Sequence, residues 1–155
     1  MMIRAFLFLI AVFFIFLVFG FFGNSGERQT GGDDVMKQVV TVRDAVFNVN
    51  IANTPEEQQN GLMGVTNLSD NNGMLFIFDM PRVAAFWNKN VLIPLDVLWI
   101  RSGRVTGIYS MRPEAESGVR VIESPGAVDL VLEIAGGAAE RMNISVGDEI
   151  QFNDD

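Results

Sequence analysis

The side chains best able to do chemistry collect between residues 82 and 96. Arg82 is followed by Phe86-Trp87-Asn88-Lys89-Asn90 and then by Ile93-Pro94-Leu95-Asp96, and Lys89 is one of only two Lys in the chain. Trp87 offers a flat stacking surface, Arg82 and Lys89 suit an anion or a hydroxyl, and Asn88 and Asn90 can orient a polar ligand. An aromatic wall with a few convergent polar groups is the usual make-up of a small-ligand site. The expected ligand-binding set is therefore Arg82, Trp87, Asn88, Lys89, Asn90 and Asp96. A structural reading competes with it. An acid at the mouth of an apolar strand needs a partner, because an unpaired buried charge is costly, and Lys89 with Asp96 would supply one while fixing a loop.

Other chemistries are narrower. The chain has neither Cys nor His, which removes thiolate zinc sites, disulfides, cysteine nucleophiles and the Ser-His-Asp triad. A carboxylate pair remains conceivable, Asp96 with Glu133 or with Asp79, provided the two groups lie about 5–10 Å apart. A Ser-Lys dyad using Lys89 is also conceivable. Neither comes with a nucleophile motif, so no catalytic residue is assigned, and no metal or cofactor is expected. Met63, Met74 and Met80 read as core packing rather than soft-metal ligands. Gly64 and Gly73 read as turn residues rather than a phosphate cradle. A net charge of −8 and a sequence pI near 4.4 argue against nucleic acid as a partner.

These residues sit in a chain of two unlike parts. Ala5 to Phe22 form 18 consecutive residues without a polar side chain and hold 8 of the 13 Phe. As a helix the run spans about 27 Å, close to a bilayer core of about 30 Å. It is too long for the usual apolar region of a cleaved signal peptide. Residues 1–22 thus read as a transmembrane signal anchor, and residues 23–36, rich in Gly and charge, as a flexible linker. Arg4 precedes the span and Glu27 is the first acid after it, so the positive-inside rule leaves the N-terminus cytoplasmic and the remainder outside the inner membrane, single-pass.

Residues 37–152 are long enough for one core, with 153–155 a polar tail. Short apolar runs read as strands at 39–42, 46–51, 74–78, 95–100, 105–108, 130–134 and 149–152. Thr54-Pro55-Glu56-Glu57 carries a capping box with Pro at the first helical position, and Gly61 stands where the helix should end. Residues 137–142 read as a second short helix, and Val146-Gly147-Asp148 as the turn into the last strand. The expected fold is mostly β (α+β), a closed or nearly closed barrel-like domain with two short helices, preceded by one transmembrane helix.

The order Gly61-Leu62-Met63-Gly64, Gly73-Met74-Leu75-Phe76, Phe86-Trp87-Asn88-Lys89-Asn90 and Ile93-Pro94-Leu95-Asp96 resembles domain-of-unknown-function family 192. The likeness continues through Val131-Leu132-Glu133, Ala139-Glu140-Arg141 and Val146-Gly147-Asp148. Where that family's pattern usually has Met, this chain has Asn88. The resemblance implies a compact, mostly β domain, often exported or membrane-attached, and implies no activity. The functional expectation is a membrane-tethered extracytoplasmic binding module for a small polar or carbohydrate-like ligand or a peptide. The alternatives are a carboxylate-dependent hydrolase of envelope polymers and a domain that docks a protein partner at the membrane surface.

Overall fold

The computed structural model describes residues 37–153. The anchor and linker expected at 1–36, and the last two residues of the tail, lie outside the described residues. Among those described, no helix is long and apolar enough to cross a membrane.

Nine strands and three short helices follow one another: β1 (Lys37–Val42), β2 (Ala45–Ala52), α1 (Pro55–Asn60), β3 (Asn72–Arg82), β4 (Ala85–Trp87), β5 (Leu95–Arg101), β6 (Arg104–Met111), α2 (Glu114–Ser117), β7 (Val121–Glu123), β8 (Val128–Ala135), α3 (Ala138–Arg141) and β9 (Ile150–Asn153). Seven strands form one sheet in the order β6-β5-β8-β3-β2-β1-β9, while β4 and β7 pair apart from it. All neighbours are antiparallel except β2 and β3. A parallel pair needs a crossover, and the segment carrying α1 provides it. The sheet curls into a half-barrel whose edges meet at one end. There Val105 N–H donates to Asp148 O at 2.9 Å, Gly147 N–H to Val105 O at 2.8 Å, and Ile150 N–H to Gly103 O at 2.9 Å.

Local sequence accounts for the joints. The β5–β6 hairpin turns through Ser102 and Gly103, with φ of 49° and 73°, the left-handed pair that a two-residue turn requires to match strand twist. In α1, Thr54 Oγ1 accepts from Glu57 N–H while Glu57 Oε2 accepts from Thr54 N–H at 2.9 Å. The capping box read from sequence is present, and Gly61 ends the helix at φ 48°.

Apolar residues pack on both faces of the central strands. Inside the curl, Phe47, Leu75, Leu98, Ile100, Leu132 and Ile134 form one core. On the outer face, Phe76, Val97, Trp99 and Val131 form a second, covered by the segment around α1 and by the β4–β7 pair. This is why β5 is buried at all six positions from Leu95 to Ile100. The strands read from sequence are all found, but β4, β7 and α2 are additions to it, so the described residues hold three short helices rather than two. Each of these additions is only three or four residues long, too short to show a period, and β4 finds β7 across 36 residues of chain (Phe86 opposite Ile122). The methionines divide: Met74 packs against the outer core, whereas Met80 is 76% exposed and does not serve as core. Gly73 is not a turn residue either. It lies within β3, where an added Cβ would stand 2.5 Å from the Glu133 carbonyl oxygen.

Candidate functional site

The outer layer leaves a cleft of about 270 Å³ between the end of α1 and β4. One side is the last turn of α1 with Gly61, Leu62 and Met63. The other is Ala85-Phe86-Trp87 of β4, with Val121 of β7, and Phe76 and Glu133 lie at the base. Strand register puts Glu133 there. It stands opposite Met74 on β3 and Val97 on β5, so its side chain shares the outer face with theirs. Gly61 keeps the carboxyl open, since a Cβ at that position would lie 3.3 Å from Phe76 Cζ and 3.7 Å from Glu133 Oε2. Phe86 holds the base aromatic, meeting Phe76 edge-on at 4.7 Å and Trp99 at 5.4 Å between ring centroids.

Glu133 is the unusual group. It is only 4% exposed, and none of the hydrogen bonds or ion pairs among the described residues reaches its carboxyl. Burial pushes its pKa from 4.5 up to about 8, because the charged form loses its hydration and gains no internal partner. At neutral pH the group is therefore mostly a carboxylic acid, able to donate one hydrogen bond into the cleft. Among the described residues it is the one ionisable side chain lining it.

The six residues marked in the sequence do not gather at one place. Trp87 does line the cleft, and Lys89 sits outside it with Nζ 5.1 Å from the Trp87 ring centroid. Arg82 lies at the end of β3, 4.0 Å over the Phe78 ring, and donates to Gln58 Oε1 at 3.0 Å. Gln58 in turn donates to Ile77 O at 2.8 Å, so Arg82 steadies a residue of the cleft without entering it. Asn90 is exposed, with φ 56°, and its N–H donates to Glu114 Oε2 at 2.6 Å.

Asn88 and Asp96 are inside the protein. Asn88 is completely buried; its amide donates to Arg112 O, Ser117 Oγ and Gly118 O at 2.9–3.0 Å and accepts from Arg120 N–H at 2.6 Å. It ties β4 to the 112–120 segment and so fixes the wall that carries Trp87 and Val121. Asp96 is likewise buried, accepting from Ser110 Oγ at 2.8 Å and from Ala139 N–H at 3.0 Å in the first turn of α3. The pairing of Lys89 with Asp96 is therefore absent. So is the carboxylate pair, because Asp96 stands opposite Ile134 and Glu133 opposite Val97, which puts the two acids on opposite faces of the sheet. Asp79 lines a different depression.

The sequence reading gives Glu133 only as half of an acid pair and leaves Phe76 and Val91 outside the expected site. A signal was present: an acid inside Leu130-Val131-Leu132-Glu133-Ile134, an otherwise apolar run of the kind that central strands show.

The fold has solved relatives. A crystal structure described as a candidate transcription regulator from Sinorhizobium meliloti 1021 is 31% identical, with a TM-score of 0.73, over 79% of this chain and 98% of that one. A protein of unknown function from Novosphingobium aromaticivorans DSM 12444 is 34% identical, with a TM-score of 0.72, over 77% of this chain and 87% of that one. None of the curated proteins compared with the chain matches it significantly. The model of the DUF192 family, described as an uncharacterised ACR, matches residues 38–152. With that match spanning the described domain, the chain belongs to the DUF192 family.

Proposed function

We propose that the domain is a binding module for a small ligand, which lays an apolar part against Trp87, Phe86 and Met63 and brings its polar group to Glu133. The observation that carries this reading is the buried carboxyl without a partner. Burial costs the charged form its hydration and raises the pKa, and a ligand that supplies the missing partner recovers part of that cost on binding. The walls are largely apolar, with the amides of Gln58, Gln59 and Asn60 at one side, the pattern of a small-molecule site. A carbohydrate-like ring or a peptide side chain fits both the size and this mixture.

Binding is favoured over catalysis because, among the described residues, a single acid faces the cleft, with neither nucleophile nor second carboxylate beside it. The apolar run Ala5–Phe22 and the Gly-rich stretch after it support a tethered domain on the outer side of the inner membrane. A transcription-regulator role, as in the description of the Sinorhizobium protein, finds no support in a chain of net charge −8, since contacts to DNA phosphates need a basic face.

The test is ligand-observed NMR on the full chain in a non-ionic detergent, with a library of small polar fragments. Fragments that bind the native chain lose binding in Trp87→Ala and Glu133→Gln, and keep it in Asp96→Asn. Binding that is indifferent to Trp87 and Glu133 overturns the reading.

A further inference from the structure

We infer that the cleft receives a primary alkylammonium group, with its apolar stem along the aromatic wall and its charged nitrogen on the Glu133 carboxylate. The inference rests on the small-ligand reading and names the chemistry of that ligand.

Three features point to a cation. The Glu133 carboxyl is buried and receives no hydrogen bond from the described residues, so both oxygens are free to accept. A neutral acceptor would use only the acid proton and leave the second oxygen unmet, whereas an ammonium brings three N–H donors. Phe76, Phe86 and Trp87 line the same space, and aromatic rings stabilise an ammonium by about 0.5–2 kcal/mol, more as water is excluded. Among the described residues no basic side chain lines the cleft; Lys89, 5.1 Å from the Trp87 ring centroid, stays outside it, and the acidity of the chain as a whole draws cations toward the domain.

Charged neighbours on the elements around Glu133 are engaged elsewhere or exposed. Glu57 of α1 is held in its capping box, Arg82 of β3 lies on Gln58 and Phe78, and Lys89 after β4 stays outside. On β5 and β8, Arg101 pairs with Asp129 at 2.9 Å and Asp96 faces the opposite side of the sheet. Asp79 of β3 and Glu123 of β7 are exposed and line no part of the cleft. Glu133 is thus the group that changes charge when the ligand enters. Below its free value of about 8 the acid releases its proton to solvent as the ammonium settles, and an ion pair remains. No covalent bond forms or breaks apart from that O–H.

The experiment follows the Met63 methyl signal of the full chain, in a non-ionic detergent, during titration with n-butylammonium, Nα-acetyl-lysine amide and neutral n-butanol. The proposal expects butylammonium to bind with an affinity that rises about tenfold per pH unit from pH 6 toward 8 and then levels off. Glu133→Gln, which keeps the side chain's shape, lowers butylammonium affinity at pH 8 at least tenfold and removes its pH dependence. Comparable binding of acetyl-lysine amide places the group on a peptide; binding of butylammonium alone places it on a free amine, and either outcome supports the cation. Butanol binding as well as butylammonium, with no pH dependence, overturns the cation and leaves the ligand cleft standing. No response to any of the three overturns both.

Discussion

Exchanging Glu133 for Gln changes one property of the cleft base, its ability to ionise, and keeps its shape. With an ordinary value of 4.5 in the unfolded chain and about 8 in the fold, the native state keeps a proton that the unfolded state has lost throughout that interval. Stability must then fall as pH rises through the window from about 4.5 to about 8, and flatten above it. The slope is about 1.4 kcal/mol per pH unit, and the whole window comes to about 5 kcal/mol. That is an upper bound, because water entering an open cleft solvates part of the charge. The Glu133→Gln variant has no such dependence. Urea denaturation of both proteins at pH 5, 6, 7, 8 and 9 isolates the effect, since every other titrating group is shared and cancels in the difference. The expected result is near coincidence at pH 5 and a widening advantage for Glu133→Gln up to pH 8. A gap that stays constant with pH, or a variant less stable throughout, would refute the claim that Glu133 is buried without a partner.

Three other substitutions separate structural from ligand-contacting roles. Asn88→Ala strands the Arg120 N–H and the carbonyl of Arg112, and should lower unfolding stability by about 2–4 kcal/mol, read as a lower urea midpoint at unchanged m-value. Asp96→Ala removes acceptors from Ser110 and from the first turn of α3; we expect a loss of about 2–3 kcal/mol with fragment binding at the cleft retained by NMR. Gly61→Ala puts a Cβ on a residue at φ 48° and 3.3 Å from Phe76. It should cost about 1–2 kcal/mol and also weaken ligand binding, so denaturation and titration must move together.

Local signals made much of the domain legible in the sequence, and pairing over distance hid the rest. The capping box at Thr54–Glu57 and the apolar runs of β3, β5 and β8 depend on residues close in the chain. They were readable for that reason. β4 and β7 depend on each other across 36 residues, and a three-residue strand has no period of its own. The site was half legible for the same reason. Trp87 was found because an aromatic beside polar groups is conspicuous. Asn88 and Asp96 were marked as ligand contacts because composition cannot distinguish a side chain facing solvent from one bonded to a distant loop or helix turn. Glu133 was undervalued because its role comes from what surrounds it: register with Met74 and Val97, and a glycine at position 61 that leaves its carboxyl uncovered.

Methyl chemical-shift mapping of the full chain is the sharpest test of the ligand cleft. With a saturating fragment present, the methyl signals of Leu62, Met63, Val91 and Val121 should shift together, while those of Ile108 and Ile144, across the sheet beside Asp96, stay in place. Shifts centred on Ile108 and Ile144, or an unchanged spectrum at Met63 when a fragment is bound, would contradict it.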